Sequence, residues 1–432
     1  MRRVSLLHLS ATIVTLLAVA RLLVLPWFHD RSGRGDYLFG HYSLEEIYVG
    51  FPLLALAVVF TLLWLVPKVR RRVVGARMVG LTISCLAAVA CFDLGYALLL
   101  RGALKPQYWL DTGHISRADN DPDADFGFVR KPHAQWKGRV PGTDRVVEYR
   151  ADSKGFRNDV ELTHADLAFV GDSYTEAAQV DRDQSFAALV GEKLGKSVAN
   201  LGRGAYGPQQ EALVIERFAL ALGPEWVVWQ FFDGNDLHDA QEYADWKRDG
   251  GPVAPLRERY FGNSYFEPLL QETYLSKKGD FALLHRDDGS ELPFTVRYRW
   301  MPHQTRERSR GWEETERSLK HSVEMCRAAK ARVLVVFVPV AARVLRSRIE
   351  YRKPSDAEVY APSDAPTGDD FAAAMARSCS TLGVDFLDLT ETFEAALQGG
   401  ADGIFIPRDE HLDLRGHRLA ADAIAAWLSA PR

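Results

Sequence analysis

Ser173 stands in the run Gly171-Asp172-Ser173-Tyr174-Thr175-Glu176, directly after the short apolar stretch Leu167-Ala168-Phe169-Val170. A serine at the C-terminal end of a buried strand, where a helix opens, is exposed at the sheet edge where ligands bind. Free amides and the helix dipole there favour developing negative charge. Thr175 occupies the place of the second glycine in the Gly-x-Ser-x-Gly elbow, so this is a different turn. The tripeptide alone leaves two readings open: a nucleophile at Ser173, or an N-cap at Asp172 or Ser173.

A base is available in Asp409-Glu410-His411. In an extended segment residues i and i+2 point the same way, so Asp409 holds one imidazole nitrogen of His411 and leaves the other free. Glu410 then faces away. Gly234-Asn235-Asp236 follows the run Trp226 to Phe232. Asn235 is a neutral donor suited to an oxyanion, and the same tripeptide equally serves an Asx turn. After Val198-Ala199-Asn200-Leu201 comes the glycine-rich loop Gly202-Arg203-Gly204-Ala205. Its glycines permit close backbone approach, and its bare amides can bind an anion. Its other reading is a tight strand-to-helix connection.

These residues need a scaffold that brings four loops together. Short apolar runs at 167–170, 198–201, 226–232, 333–338 and 384–387 read as buried parallel strands. Helical spacing separates them at 183–195, 208–222, 313–329 and 369–382, and recurs at 415–429. Alternating units of this kind imply a parallel sheet with helices on both faces, a three-layer α/β/α domain. Residues 240–311 break the rhythm with many aromatics and no clear period, which reads as an inserted lid or subdomain. The expected organisation is a membrane domain at 1–100, a β-containing juxtamembrane segment at 101–165, and the α/β domain at 166–432.

The four motifs, in this order and each after its own strand, resemble the SGNH (GDSL-type) hydrolase superfamily, in a membrane-anchored bacterial form. The resemblance covers roughly 126–239 and 312–428. It implies an SGNH-hydrolase-like fold and a serine-dependent O-acyl ester hydrolase or O-acyltransferase. Ser173 would be the nucleophile, His411 the base, and Asp409 its partner. The Ser173 amide, an amide of Gly202, Gly204 or Ala205, and Asn235 would bind the oxyanion. Gly171, Asp172, Gly234 and Asp236 complete the motif blocks. Tyr149 to Arg157 looks like the lead-in of membrane-tethered members. Two features depart from the usual pattern. Ala205 stands where a glycine is usual, and the last block is Asp-x-His rather than Asp-x-x-His. The shorter spacing resembles the alginate-acetylation-type branch, which transfers acyl groups to envelope polysaccharide. A catalytically inactive, glycan-binding assembly protein is the alternative.

The chain has 432 residues, 47% hydrophobic and 25% charged, with net charge −4. That excludes a disordered or fibrous chain and gives no basic footprint for nucleic acid. Four cysteines exclude a disulfide scaffold, although a Cys326–Cys379 bond stays open. Charge is uneven. Residues 1–100 hold ten Lys+Arg against five Asp+Glu, and the remainder 43 against 52. Within the basic part, residues 4–25, 47–66 and 78–100 are apolar, each near the ~20 residues that cross a bilayer. Arg2, Arg3 and the Arg70-Arg71-Arg72 loop place the N-terminus in the cytoplasm and everything after the third span outside. A signal peptide cleaved after Ala20 is a rival for the first span and leaves the body on the same side. The expected partners are a lipid bilayer and an O-acylated carbohydrate or small ester. No cofactor or metal is expected. Asp233, Asp236, His238 and Asp239 could be imagined as metal ligands, but solvated loop carboxylates are the simpler reading. The phosphatase reading of Asp233-Gly234-Asn235-Asp236 fails, because no strand ends in Asp-x-Asp-x-Thr.

Overall fold

The computed structural model describes residues 37–38, 42–43, 91–95, 119–140, 143–249, 281–296, 310–351, 371–398, 403–407 and 409–431. The three apolar stretches lie outside these residues, apart from 91–95, which are helical. Among the described residues no helix is long and apolar enough to cross a membrane. The chain divides into two compact units. One comprises 1–106, 111–114 and 254–278, and the other 107–110, 115–253 and 279–432. In the first, β1 (Tyr37–Leu38) pairs antiparallel with β2 (Tyr42–Ser43).

The second unit opens with two antiparallel hairpins, β3 (Asn120–Asp123) with β4 (Gly127–Arg130), and β5 (Gln135–Arg139) with β6 (Val146–Arg150). The central elements follow: β7 (Leu167–Val170), α1 (Ser173–Glu176), α2 (Phe186–Leu194), β8 (Val198–Asn200), α3 (Pro208–Val214), β9 (Trp226–Phe232) and α4 (Asp236–Asp249). Then come β10 (Phe281–His285), β11 (Glu291–Thr295), α5 (Arg310–Ala328), β12 (Arg332–Val338), α6 (Ala341–Val344) and β13 (Ile349–Tyr351). The chain ends with α7 (Phe371–Leu382), β14 (Asp385–Asp388), α8 (Thr390–Gln398) and α9 (Leu414–Ser429).

Five strands form one sheet in the order β14-β12-β9-β7-β8, and every pairing is parallel. The near-continuous apolar runs are explained by burial on both faces. In β9, Val227, Trp229 and Phe231 enter one core cluster and Trp226, Val228 and Phe232 the other. In β12, Val333, Val335 and Phe337 alternate in the same way with Leu334, Val336 and Val338. From β7 the chain runs to β8 on one side, then returns to β9 on the other. The switch of direction lies between β7 and β9, where a doubly wound sheet opens a crevice at the strand ends. Ser173 follows β7 and Asn235 follows β9.

The β3–β4 hairpin and the segment after β6 share the core of this unit, while Val140 and Val147 of the second hairpin pack with Ile406. Phe126, Phe128 and Phe156 are buried in the same cluster as Ala168 and Trp229. Order also persists where an aperiodic insert is expected. Residues 236–249 form α4, and β10 pairs with both β11 and β13 in a small antiparallel sheet. Phe294, one of the insert's aromatics, is buried within the fold. Cys326 and Cys379 are free, buried thiols, and burial pushes both up to about 12.

Candidate active site

The turn after β7 is packed too tightly for side chains at its first residue. A Cβ on Gly171 would stand 2.4 Å from Gln230 Oε1 and 2.5 Å from Thr175 Oγ1. Asp172 is the N-cap of α1, its Oδ1 accepting the Tyr174 N–H at 2.9 Å. This leaves Ser173 without capping duty. α1 is only one turn long and ends at Ala177 in the left-handed conformation, so its macrodipole is that of a single turn.

The Ser173 hydroxyl meets His411 Nε2 at 2.8 Å. His411 Nδ1 meets Asp409 Oδ1 at 2.9 Å. Both are normal hydrogen-bond lengths, and together they form an acid–imidazole–hydroxyl relay. The segment carrying Asp409 and His411 is not extended as the i, i+2 argument requires. Glu410 is left-handed (φ 64), and the Ile406 carbonyl accepts the amides of both Asp409 and Glu410. The two amides converging on one carbonyl curl the chain. Asp409 and His411 nevertheless reach the same point. Tyr174 fastens this turn to the serine: its hydroxyl donates to the Glu410 carbonyl at 3.0 Å, and its ring lies 5.0 Å from the imidazole.

The loop after β8 lies against the serine. A Cβ on Gly204 would come within 3.5 Å of Ser173 Cβ. Of the three expected oxyanion amides, two are already engaged. Gly202 N–H donates to Asn200 Oδ1 at 3.0 Å and Gly204 N–H to Glu176 Oε2 at 2.7 Å. Ala205 N–H meets no acceptor among the described residues, which singles out this amide. Ala205 is left-handed, φ 62, a conformation that favours glycine and costs an alanine about 1–2 kcal/mol. Asn235 is half-buried at the end of β9, and its Nδ2 donates to Asp239 Oδ2 at 2.6 Å. That nitrogen keeps a second hydrogen.

Three buried acids interact with one another near the serine turn, and their raised proton affinity was not apparent in the sequence. Burial raises Asp172 to about 6. Burial, reinforced by mutual repulsion, holds Glu211 and Asp236 well above the usual carboxylate range. Trp229 Nε1 donates to Glu211 at 2.8 Å, and the Phe232 N–H donates to Asp236 at 2.7 Å. Asp236 is thus committed inside the fold, and Gly234 sits half-buried beside it. Among the described residues the group able to bring metal-ligand atoms within 4.8 Å of one another is instead His238, Asp239 and Glu242, with His238 exposed. His417 is structural. It accepts the Phe186 N–H at the start of α2, and burial lowers it to about 3.

Glu176 also went unnoticed in the sequence, although it is only three residues from Ser173. It is buried with Arg130, Tyr149 and Arg203 around its carboxylate. Arg157, from the lead-in segment, donates to the carbonyls of Ala177 and Val180 (2.6 Å for the latter), just beyond α1. A buried arginine at the end of a short strand or in an irregular segment gives no periodic signal of its own.

No curated protein matches the chain. Among solved structures it is similar to an acetylxylan esterase, Axe2, from Geobacillus stearothermophilus, at 13% identity and TM-score 0.34, covering 63% of this chain and 97% of that one. It is similar also to a protein described as lipolytic and of the G-D-S-L family from Desulfitobacterium hafniense DCB-2, at 12% identity and TM-score 0.32, covering 60% and 97%. A two-domain esterase active on acetylated mannans gives 14% identity and TM-score 0.34, covering 61% and 48%. Residues 169–419 match the GDSL-like lipase/acylhydrolase family, and the span takes in Ser173, Asn235, Asp409 and His411. The chain therefore belongs to the GDSL-like lipase/acylhydrolase family and is an enzyme of ester-bond hydrolysis.

Proposed function

We propose that Ser173, His411 and Asp409 are the catalytic residues of an extracytoplasmic O-acyl ester hydrolase or O-acyltransferase acting on a cell-envelope carbohydrate or related ester. The observation that carries the reading is the unbroken relay from Asp409 through His411 to the Ser173 hydroxyl. Ser173 Oγ attacks the acyl carbonyl carbon while His411 Nε2 takes its proton. Asp409 steadies the imidazolium. The amides of Ser173 and Ala205, with the free hydrogen of Asn235 Nδ2, bind the oxyanion. Collapse expels the alcohol, which takes the proton from His411, and leaves an acyl-serine. Water or a sugar hydroxyl, deprotonated by His411, then accepts the acyl group. An assembled relay argues against an inactive glycan-binding protein, for which no such alignment is needed.

The extracytoplasmic location rests on the three apolar stretches and the positive-inside pattern of their loops. A membrane tether raises the local concentration of an exported or lipid-linked glycan, which favours transfer over simple hydrolysis. Fluorophosphonate labelling tests the nucleophile. Wild-type protein should label at Ser173, and Ser173→Ala should neither label nor cleave p-nitrophenyl acetate. Normal turnover in that variant would refute the assignment. Product partition tests the acceptor: incubation with an acyl donor and oligosaccharides should yield acylated sugar by mass spectrometry. Free acid alone across a broad glycan set would leave only the esterase.

A further inference from the structure

Glu176 is a carboxylate with far more partners than a structural ion pair needs. Its Oε1 accepts from Arg130 and from the Tyr149 hydroxyl, the latter at 2.7 Å. Arg203 Nη1 lies 3.4 and 3.5 Å from its two oxygens. Its Oε2 accepts the Gly204 N–H at 2.7 Å. Arg203 continues to Asn120 on β3, and the guanidinium of Arg130, on β4, lies 4.5 and 4.7 Å from the ring centres of Trp136 and Tyr149, which stack on each other. Burial pushes the carboxyl up, but Arg130 and Arg203 outweigh it and hold the group ionised, at about 2. Apolar packing of similar volume stabilises a fold about as well as a buried ion cluster, so stability alone does not account for the arrangement. What the cluster supplies is fixed direction, through hydrogen bonds to a charged acceptor.

The direction matters because of what is tied together. Glu176 belongs to the one-turn helix that Ser173 opens. Gly204 directly precedes Ala205, whose amide is the free donor of the loop. One side chain thus spans the turn that carries the nucleophile and the loop that carries the second oxyanion donor. We propose that Glu176 is a positioning residue for ester cleavage, fixing the Ala205 amide relative to Ser173, and that the hairpin arm of residues 119–150 takes part in catalysis by clamping Glu176 through Arg130 and Tyr149. Because the clamp comes from the arm, the catalytic geometry is completed by residues that lie before the matched family region, 169–419. The inference rests on Ser173 being the nucleophile.

The test uses the full-length chain with Glu176→Gln, p-nitrophenyl acetate as substrate and phenylboronic acid as inhibitor. The boron bonds to Ser173 Oγ and becomes tetrahedral, placing an oxygen in the oxyanion position. Active sites are counted by fluorophosphonate titration. One oxyanion donor is worth about 10²–10³-fold in turnover, so loosening it should lower kcat per titrated site by about 10-fold or more. KM should stay within about 3-fold, and the boronate Ki should rise in step with the fall in kcat/KM. Arg130→Ala should likewise lower kcat and raise Ki. A purely structural role predicts fewer titratable sites, each with wild-type kcat and Ki, and that result would overturn the proposal. If Glu176→Gln does not accumulate as folded protein, Tyr149→Phe removes one hydrogen bond and no charge. It must then show the same parallel shift in kcat and Ki, or the proposal falls. A silent Glu176→Gln beside an inactive Ser173→Ala would sink this inference alone, whereas an active Ser173→Ala would sink the assignment beneath it.

Discussion

Replacing Gly202 by alanine probes the contact between the loop after β8 and the serine turn. A Cβ at this position would stand 2.3 Å from the Glu176 backbone nitrogen, 2.5 Å from the Thr175 carbonyl carbon and 2.6 Å from Thr175 Cβ. Real Cβ contacts do not fall below 3.0 Å, so the loop and α1 must part by about 0.7 Å. No flexible side chain can absorb that shift. Overpacking typically costs ~1–3 kcal/mol, and contact with backbone puts this case at about 3 kcal/mol. At ~2–4 °C per kcal/mol for a unit of this size, the melting temperature should fall by roughly 10 °C. The shift also separates the Ala205 amide from Ser173, and misplacement of about 1 Å can cost ~10²-fold in rate. Urea denaturation measures the first effect, and turnover of p-nitrophenyl acetate per folded molecule the second. Gly195→Ala is the control. It meets nothing within 4 Å and has φ +62, so it should cost about 1 kcal/mol of stability and no turnover. A Gly202→Ala protein within about 0.5 kcal/mol of wild type, turning over normally, would refute the packing argument.

Asp409→Asn should lower kcat by about 10³–10⁴-fold, because it removes the charge that stabilises the imidazolium. Glu410→Gln should leave kcat within a few-fold, since it keeps the size of this buried side chain and the backbone carbonyl that Tyr174 bonds; steady-state kinetics ranks the two, and a larger loss for Glu410 would reverse the roles. His417 binds its proton far more weakly folded, at about 3, than unfolded, at about 6.5. Its contribution is therefore complete above pH 6.5 and is lost as pH falls from there toward 3. The stability gap between wild type and His417→Gln, read from urea midpoints, should narrow over that window and would count against the buried neutral imidazole if it stayed constant.

The parallel strands were legible because both of their faces are buried, so their apolar runs stand out against flanking glycines. Ser173, Asp409 and His411 were legible because a relay needs those residue types, and because their order along the chain, each after its own strand, resembles a known family. Which loop amide stays free was not. It depends on Asn200 and Glu176 capturing the amides of Gly202 and Gly204, contacts across 2 and 28 positions of sequence. The Ala205 anomaly is backbone strain: its left-handed conformation is one glycine adopts without cost. Glu410 was misjudged because period-2 geometry presumes an extended chain, and one carbonyl, Ile406, bends it. α4 was missed because its apolar residues face several partners, Tyr243 donating to the Asp125 carbonyl while Lys247 and Arg248 stay exposed. Arm residues such as Arg130 and Tyr149 are lost among ordinary surface types until their burial is known.

The buried carboxyls near the serine turn bear on how alkaline a medium the enzyme can use. Negative charge develops on the substrate oxygen during attack, and any full carboxylate charge on the order of 5 Å away would oppose it by about 3 kcal/mol at an effective dielectric of ~20. Glu211 and Asp236, held well above the usual carboxylate range by burial and by neighbouring acids, impose no such penalty while they keep their protons. Stripping their protons would place anions near a site that must itself make one. Glu211 and Asp236 thus set an internal ceiling on pH, above the point near 6 at which Asp172 gives up its proton.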